Sequence, residues 1–158
     1  MPEDPDLDLD LDRFVLSQAP IYDEVLQELR GGRKTGHWIW FIFPQIAGLG
    51  YSETSRYYAI SSLDEARSYL VHPVLGPRLH ECAGVVAATE GRTAEQMFGP
   101  VDAMKVRSSM TLFLRAAPGE AVFRQVLDSF FGGAADPATD RLLGRQAGEP
   151  SPGGLSPG

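Results

Sequence analysis

Six consecutive apolar residues, Trp38-Ile39-Trp40-Phe41-Ile42-Phe43, stand between His37 and Pro44-Gln45 and contain both tryptophans of the chain. A fold must bury most of this block, because its aromatic surface is a large hydrophobic driving force and no polar position breaks the run. The block is far short of the roughly 20 residues that cross a bilayer. Over so short a stretch a buried strand and a buried helical turn look alike, so the flanking sequence has to decide.

The flanks are helical. Leu11, Phe14 and Val15, then Ile21, Tyr22, Val25, Leu26 and Leu29, recur at helical spacing, with an interruption at Pro20 and a stop at Gly31-Gly32. After the loop signals Pro44 and Gly48-Leu49-Gly50, another short helix is expected over residues 54–60. Ser62-Leu63-Asp64-Glu65 is a capping box that opens a helix to about Val71, and Thr93-Ala94-Glu95-Gln96 is a second one, closed by Gly99-Pro100. Pro73 suits the first position of a helix running to about Thr89. Amphipathic helices are expected over 102–114 and 120–131, and a last short one from Asp136-Pro137 to about Leu143. The expectation is an all-α fold: a single compact multihelical domain over 11–144 with about seven or eight short to medium helices. Residues 1–10 read as a disordered acidic arm and 145–158 as a disordered Gly/Pro/Ser tail, since neither offers enough apolar surface to offset the entropy of ordering.

Charge narrows the function classes. The net charge is -7, yet six of the 21 acids fall between Glu3 and Asp12, which leaves the body nearly neutral. A neutral body lacks the attraction to phosphate backbones that nucleic-acid binding relies on, so no nucleic-acid partner is expected. The absence of a basic, apolar N-terminal stretch argues against a secretory signal, and Cys82 as sole cysteine fits a reducing compartment. No membrane partner is expected, and a cytoplasmic location follows as the expectation.

Several constellations bear on chemistry. Gly31-Gly32-Arg33-Lys34-Thr35-Gly36-His37 combines glycines with two cations, as an anion-binding loop would, although a helix stop followed by solvated bases is the favoured account, Gly being the usual stop. His37 and Gln45 flank the aromatic block, and polar groups set in aromatic walls are how ligand pockets are built; the alternative is packing. His37, as an imidazole, is the candidate acid–base residue. Lys105, Ser108 and Ser109 share a helix face, offered to an anionic ligand or bonded back to the preceding turn. His37, His72, His80 and Cys82 give no zinc spacing, so neither metal nor cofactor is expected. Cys82 lies between Leu79 and Val86 on a helix, a core position.

Leu26-Gln27-Glu28-Leu29-Arg30-Gly31-Gly32-Arg33-Lys34, the segment His-Trp-x-Trp-x-x-Phe-Pro-Gln from His37 to Gln45, His72-Pro73-Val74-Leu75-Gly76 and Arg107-Ser108-Ser109-Met110-Thr111-Leu112-Phe113 together resemble the bacterial domain-of-unknown-function family 1810, sometimes mislabelled calpastatin. The resemblance spans about 11–144, implies an all-helical single domain and supplies no activity. A fainter likeness, of order rather than motif, is to the helical NADAR domains linked to ADP-ribose derivatives; it runs through Tyr57-Tyr58 and a lysine-bearing helix. The functional expectation is a small-molecule site lined by Lys34, His37, Trp38, Trp40, Gln45, Tyr58, Lys105 and Ser109. Its small anionic ligand would be phosphate-bearing or nucleotide-like, with an ADP-ribose derivative undergoing hydrolysis as one form. The alternative is a non-catalytic protein-interaction module. Whether the chain is an enzyme, and its oligomeric state, are left open by sequence.

Overall fold

The computed structural model describes residues 5–146, with side chains from residue 11 onward. Among these residues nine helices form and no strand does: α1 Pro5–Gln18, α2 Tyr22–Arg30, α3 Ile39–Ile42, α4 Glu53–Tyr57, α5 Leu63–Val71, α6 Leu75–Ala88, α7 Ala94–Ala116, α8 Ala121–Phe130 and α9 Pro137–Gln146. The all-α expectation therefore holds. Helical backbone begins at Pro5, inside the acidic stretch assigned to an arm, and the last helix runs past Leu143 to Gln146. The remainder of the expected arm and tail, 1–4 and 147–158, lies outside the described residues.

Local chemistry sets most boundaries. Gly32 adopts a positive φ after α2, and the N–H of Arg33 returns to the Glu28 carbonyl at 3.1 Å, a glycine stop that satisfies the helix's last carbonyls. Thr93 forms the complete capping box with Gln96. Ser62 caps α5 through the Glu65 N–H, but the Glu65 carboxylate reaches one residue further back than a capping box would. It accepts from the Ser61 N–H at 2.6 Å and the Ser61 hydroxyl at 2.9 Å. Pro73 precedes α6 instead of opening it, and the His72 imidazole Nδ1 accepts from the N–H groups of Val74 and Leu75 at the helix start. In α7 the expected break is present as a kink: Gly99 takes φ 80° and ψ 159°, which a side chain would resist, and Pro100 starts the second limb.

The second limb of α7 is the spine of the core. Helix α7 packs against α5, α8, α9 and α3, while α6 closes against α2, α5 and α8. Phe14, Tyr69, Phe113 and Phe123 form a buried aromatic column, with Tyr69 edge-on to Phe14 at 5.1 Å and Phe113 to Phe123 at 5.9 Å. Gln18 ties α1 into it by donating to the Phe41 carbonyl at 2.7 Å and the Tyr69 hydroxyl at 3.1 Å. Helix α9 docks through the buried Asp136, whose carboxylate accepts from the hydroxyls of Ser108 at 2.9 Å and Thr139 at 2.5 Å. The polar face expected at Ser108 is thus spent on helix docking.

Candidate functional site

The block 38–43 folds as the single turn α3, ending in extended backbone that joins Ile46 to Ile60 through an isolated parallel bridge. A one-turn helix turns its successive side chains in different directions. Trp38 is therefore core, at 2% exposure, whereas Trp40 lies at the surface end of the turn, half-buried. Burial of Ile39, Ile42 and Phe43 anchors the turn and holds Trp40 at the protein's edge.

The basic segment before it has already found its anion inside the protein. One oxygen of Glu28 accepts from the N–H of Thr35 at 2.8 Å, the N–H of Gly36 at 2.9 Å and the Trp38 indole at 2.8 Å. Burial alone would raise this carboxyl, but the hydrogen bonds outweigh it and hold the group below its ordinary value. Lys34, whose side chain is 7% exposed, pairs with Asp102 at 2.8 Å and donates to the Gly36 carbonyl at 2.5 Å, with its Nζ 5.2 Å from the Trp38 ring centroid. Lys105 meets the other Asp102 oxygen at 3.7 Å and lies 5.1 Å from the Trp40 ring centroid. Asp102 thus pairs with both lysines, and each lysine covers one tryptophan. This network positions the indoles, and neither lysine lines the depressions beside Trp40.

Two depressions meet at Trp40 and Tyr58. The larger, about 530 Å³, is lined by His37, Trp40, Phe41, Glu53, Thr54, Tyr57 and Tyr58. The smaller, about 110 Å³, lies between Trp40, Tyr58, Gln45, Arg56 and the loop of Gly48 and Gly50. Tyr58 is fixed as the shared wall by a 2.6 Å hydrogen bond between its hydroxyl and Ser17 and by Phe41 at 5.3 Å. Arg13 secures α4 beneath it, donating to the carbonyls of Tyr57 and Ala59 at 2.7 Å each.

Of the eight residues expected to line one site, His37, Trp40, Gln45 and Tyr58 border these depressions, divided between the two. His37 is exposed and not a packed core group. Trp38, Lys34, Lys105 and Ser109 do not line either depression. Trp38 is consumed by the core and by Glu28, and the lysines by Asp102. Ser109 is fully buried, and its hydroxyl is the one buried side-chain polar atom among the described residues without a hydrogen-bond partner. Sequence reasoning did not single out Phe41, Glu53, Thr54, Arg56 or Tyr57 as lining residues. The one signal for them was the tyrosine pair Tyr57-Tyr58 behind the Gly48–Gly50 loop.

Cys82 is buried, which pushes its thiol up to about 12, so it is no nucleophile here. Among the described residues no cluster of three or more His, Cys, Asp or Glu side chains is disposed to hold a metal ion. Among them also, no helix is long and apolar enough to cross a membrane.

The family model described as protein of unknown function, DUF1810, matches residues 8–143. The crystal structure of the conserved hypothetical protein Rv1873 from Mycobacterium tuberculosis is similar, with 54% sequence identity and a TM-score of 0.84 over 85% of this chain and 96% of that one. No protein of curated function matches the chain.

Proposed function

The chain belongs to DUF1810, a family of proteins of unknown function, and we propose that it binds a small phosphate-bearing or nucleotide-like ligand across the Trp40–Tyr58 wall. The observation that carries this reading is the cleft itself: four aromatic side chains converge with His37, Glu53 and Thr54 around about 530 Å³. Apolar walls with a few convergent polar groups are the usual make-up of a small-molecule site. Aromatic faces also stack on flat heterocycles, at about 1–3 kcal/mol per base.

Hydrolysis of an ADP-ribose derivative is the catalytic form of the proposal. Its acid–base groups would be His37 and Glu53, which border the same cleft. We place the protein in the cytoplasm, with no nucleic-acid or membrane partner, on the strength of its near-neutral body and single buried cysteine.

The test is a thermal-shift screen with nucleotides, ADP-ribose, NAD and sugar phosphates on wild type, His37→Ala and Trp40→Ala. A bound probe raises Tm by mass action, and both substitutions are expected to shrink that rise. A screen in which no probe moves Tm would favour the alternative, a protein-interaction module. The observation on that side is the exposure of Val101 and Met104, about one turn apart on α7 at 67% and 52%.

A further inference from the structure

Resting on that reading, we infer that the small pocket behind Trp40 and Tyr58 is the seat of the ligand's phosphate, recognised by the side chains of Arg56 and Gln45. The two depressions differ in charge. Glu53 borders the aromatic cleft, whereas no carboxylate borders the pocket, whose one ionised side chain is Arg56. Arg56 makes no ion pair or side-chain hydrogen bond among the described residues, in contrast to Arg115, which forks onto Asp140 at 2.9 Å through each of two nitrogens. A free guanidinium beside a concave surface presents the planar fork that matches phosphate.

Gln45 supplies the second donor. Its backbone is pinned, because its carbonyl accepts from the Ile60 N–H at 2.8 Å, while its half-buried side-chain amide has no hydrogen-bond partner among the described residues. Its amide reaches the pocket with both donor and acceptor capacity and is available to a ligand. The facing loop is shaped by glycine: a Cβ on Gly50 would come within 2.6 Å of the Ser55 side chain. Only glycine lets the loop close down there, and the N–H groups of Gly48 and Gly50 have no partner among the described residues. The volume of about 110 Å³ holds a phosphate but not a nucleoside, which needs the larger cleft across the wall.

The experiment is a titration of the ¹⁵N-labelled full chain with inorganic phosphate, acetate, adenosine and adenosine 5′-monophosphate, followed by NMR on wild type, Arg56→Gln and Gln45→Ala. Inorganic phosphate is expected to move the Gln45 side-chain amide and the Gly48 and Gly50 N–H signals. Adenosine should move the ring signals of Trp40 and Tyr57 instead. The monophosphate should move both sets and bind about tenfold more tightly than adenosine, as one charge-assisted contact implies. Arg56→Gln should remove that tenfold gain and leave adenosine binding unchanged; Arg56 is exposed, so an unchanged spectrum verifies its fold. Gln45→Ala should weaken the monophosphate without affecting adenosine.

Adenosine and its monophosphate binding equally, with Gln45, Gly48 and Gly50 unmoved, would overturn this inference and leave the cleft reading standing. Acetate moving those signals as strongly as phosphate would overturn the assignment to phosphate. Failure of both adenosine and the monophosphate to move Trp40 would count against the cleft reading itself.

Discussion

Replacing Glu28 tests the clamp that places the aromatic block. In Glu28→Ala the Trp38 indole N–H, on a residue 2% exposed, loses its acceptor at 2.8 Å. An unpaired buried donor costs about 1–3 kcal/mol. The N–H groups of Thr35 and Gly36 lose the same acceptor, but Thr35 is exposed and re-solvates, so these two add about 1 kcal/mol together. The expected loss is about 3 kcal/mol, a large share of a domain's usual stability. Glu28→Gln keeps an amide oxygen but not the charge, and should lose about 1 kcal/mol.

The pH dependence has a definite sign. The folded-state carboxyl of Glu28 is held below its ordinary value near 4.5, so its ionised form stabilises the fold above that pH. This contribution disappears as pH falls through the lower folded value. The assay is urea unfolding followed by far-UV circular dichroism, with free energies from linear extrapolation. The gap between wild type and Glu28→Gln should be full at neutral pH and shrink below about pH 4.5. A Glu28→Ala protein as stable as wild type at neutral pH, or a Glu28→Gln gap that does not change with pH, would refute the reasoning.

The remaining predictions concern single side chains. Asp102→Ala strands the 7% exposed Lys34 ammonium and should cost about 3 kcal/mol, whereas Lys105→Ala, at 22% exposure, should cost under about 1 kcal/mol by the same urea assay. Equal losses would mean that Lys34 is not the charge Asp102 serves. Ser109→Ala removes a fully buried hydroxyl that has no partner, so Tm should hold or rise, by the equivalent of up to about 1 kcal/mol; a clear drop would show that the hydroxyl is satisfied. The buried Cys82 thiol, pushed up to about 12, should stay silent toward a disulfide reagent at mildly alkaline pH and react once urea unfolds the chain. Rapid labelling of the native protein would contradict its burial.

The helices were legible because helix signals are local. The Ser62 and Thr93 caps and the glycine stop after α2 act within one turn of chain. The aromatic block could be read as buried, since its apolar surface has nowhere else to go. Which of its members stay at the surface could not, because Trp38 and Trp40 differ only by about half a helical turn of rotation relative to a core that other segments build. The same holds for charge. Lys34 looked free beside a ligand because Asp102 stands 68 residues away in the chain, and that pairing exists only once α7 crosses the loop after α2, whereas the Lys105–Asp102 pair is three residues apart on one helix.

The candidate site follows the same division. His37, Trp40, Gln45 and Tyr58 were identifiable as polar or aromatic groups surplus to packing. Their division between an aromatic cleft and a carboxylate-free pocket, with Arg56 and Tyr57 joining them, depends on where α4 docks against α1. Sequence alone determined the helical class, the Ser62 and Thr93 caps, and that most of the aromatic block is buried. Tertiary structure alone decided which cations remain free and which rings stay open, because ion pairing and cavity shape arise between segments that are distant in the chain.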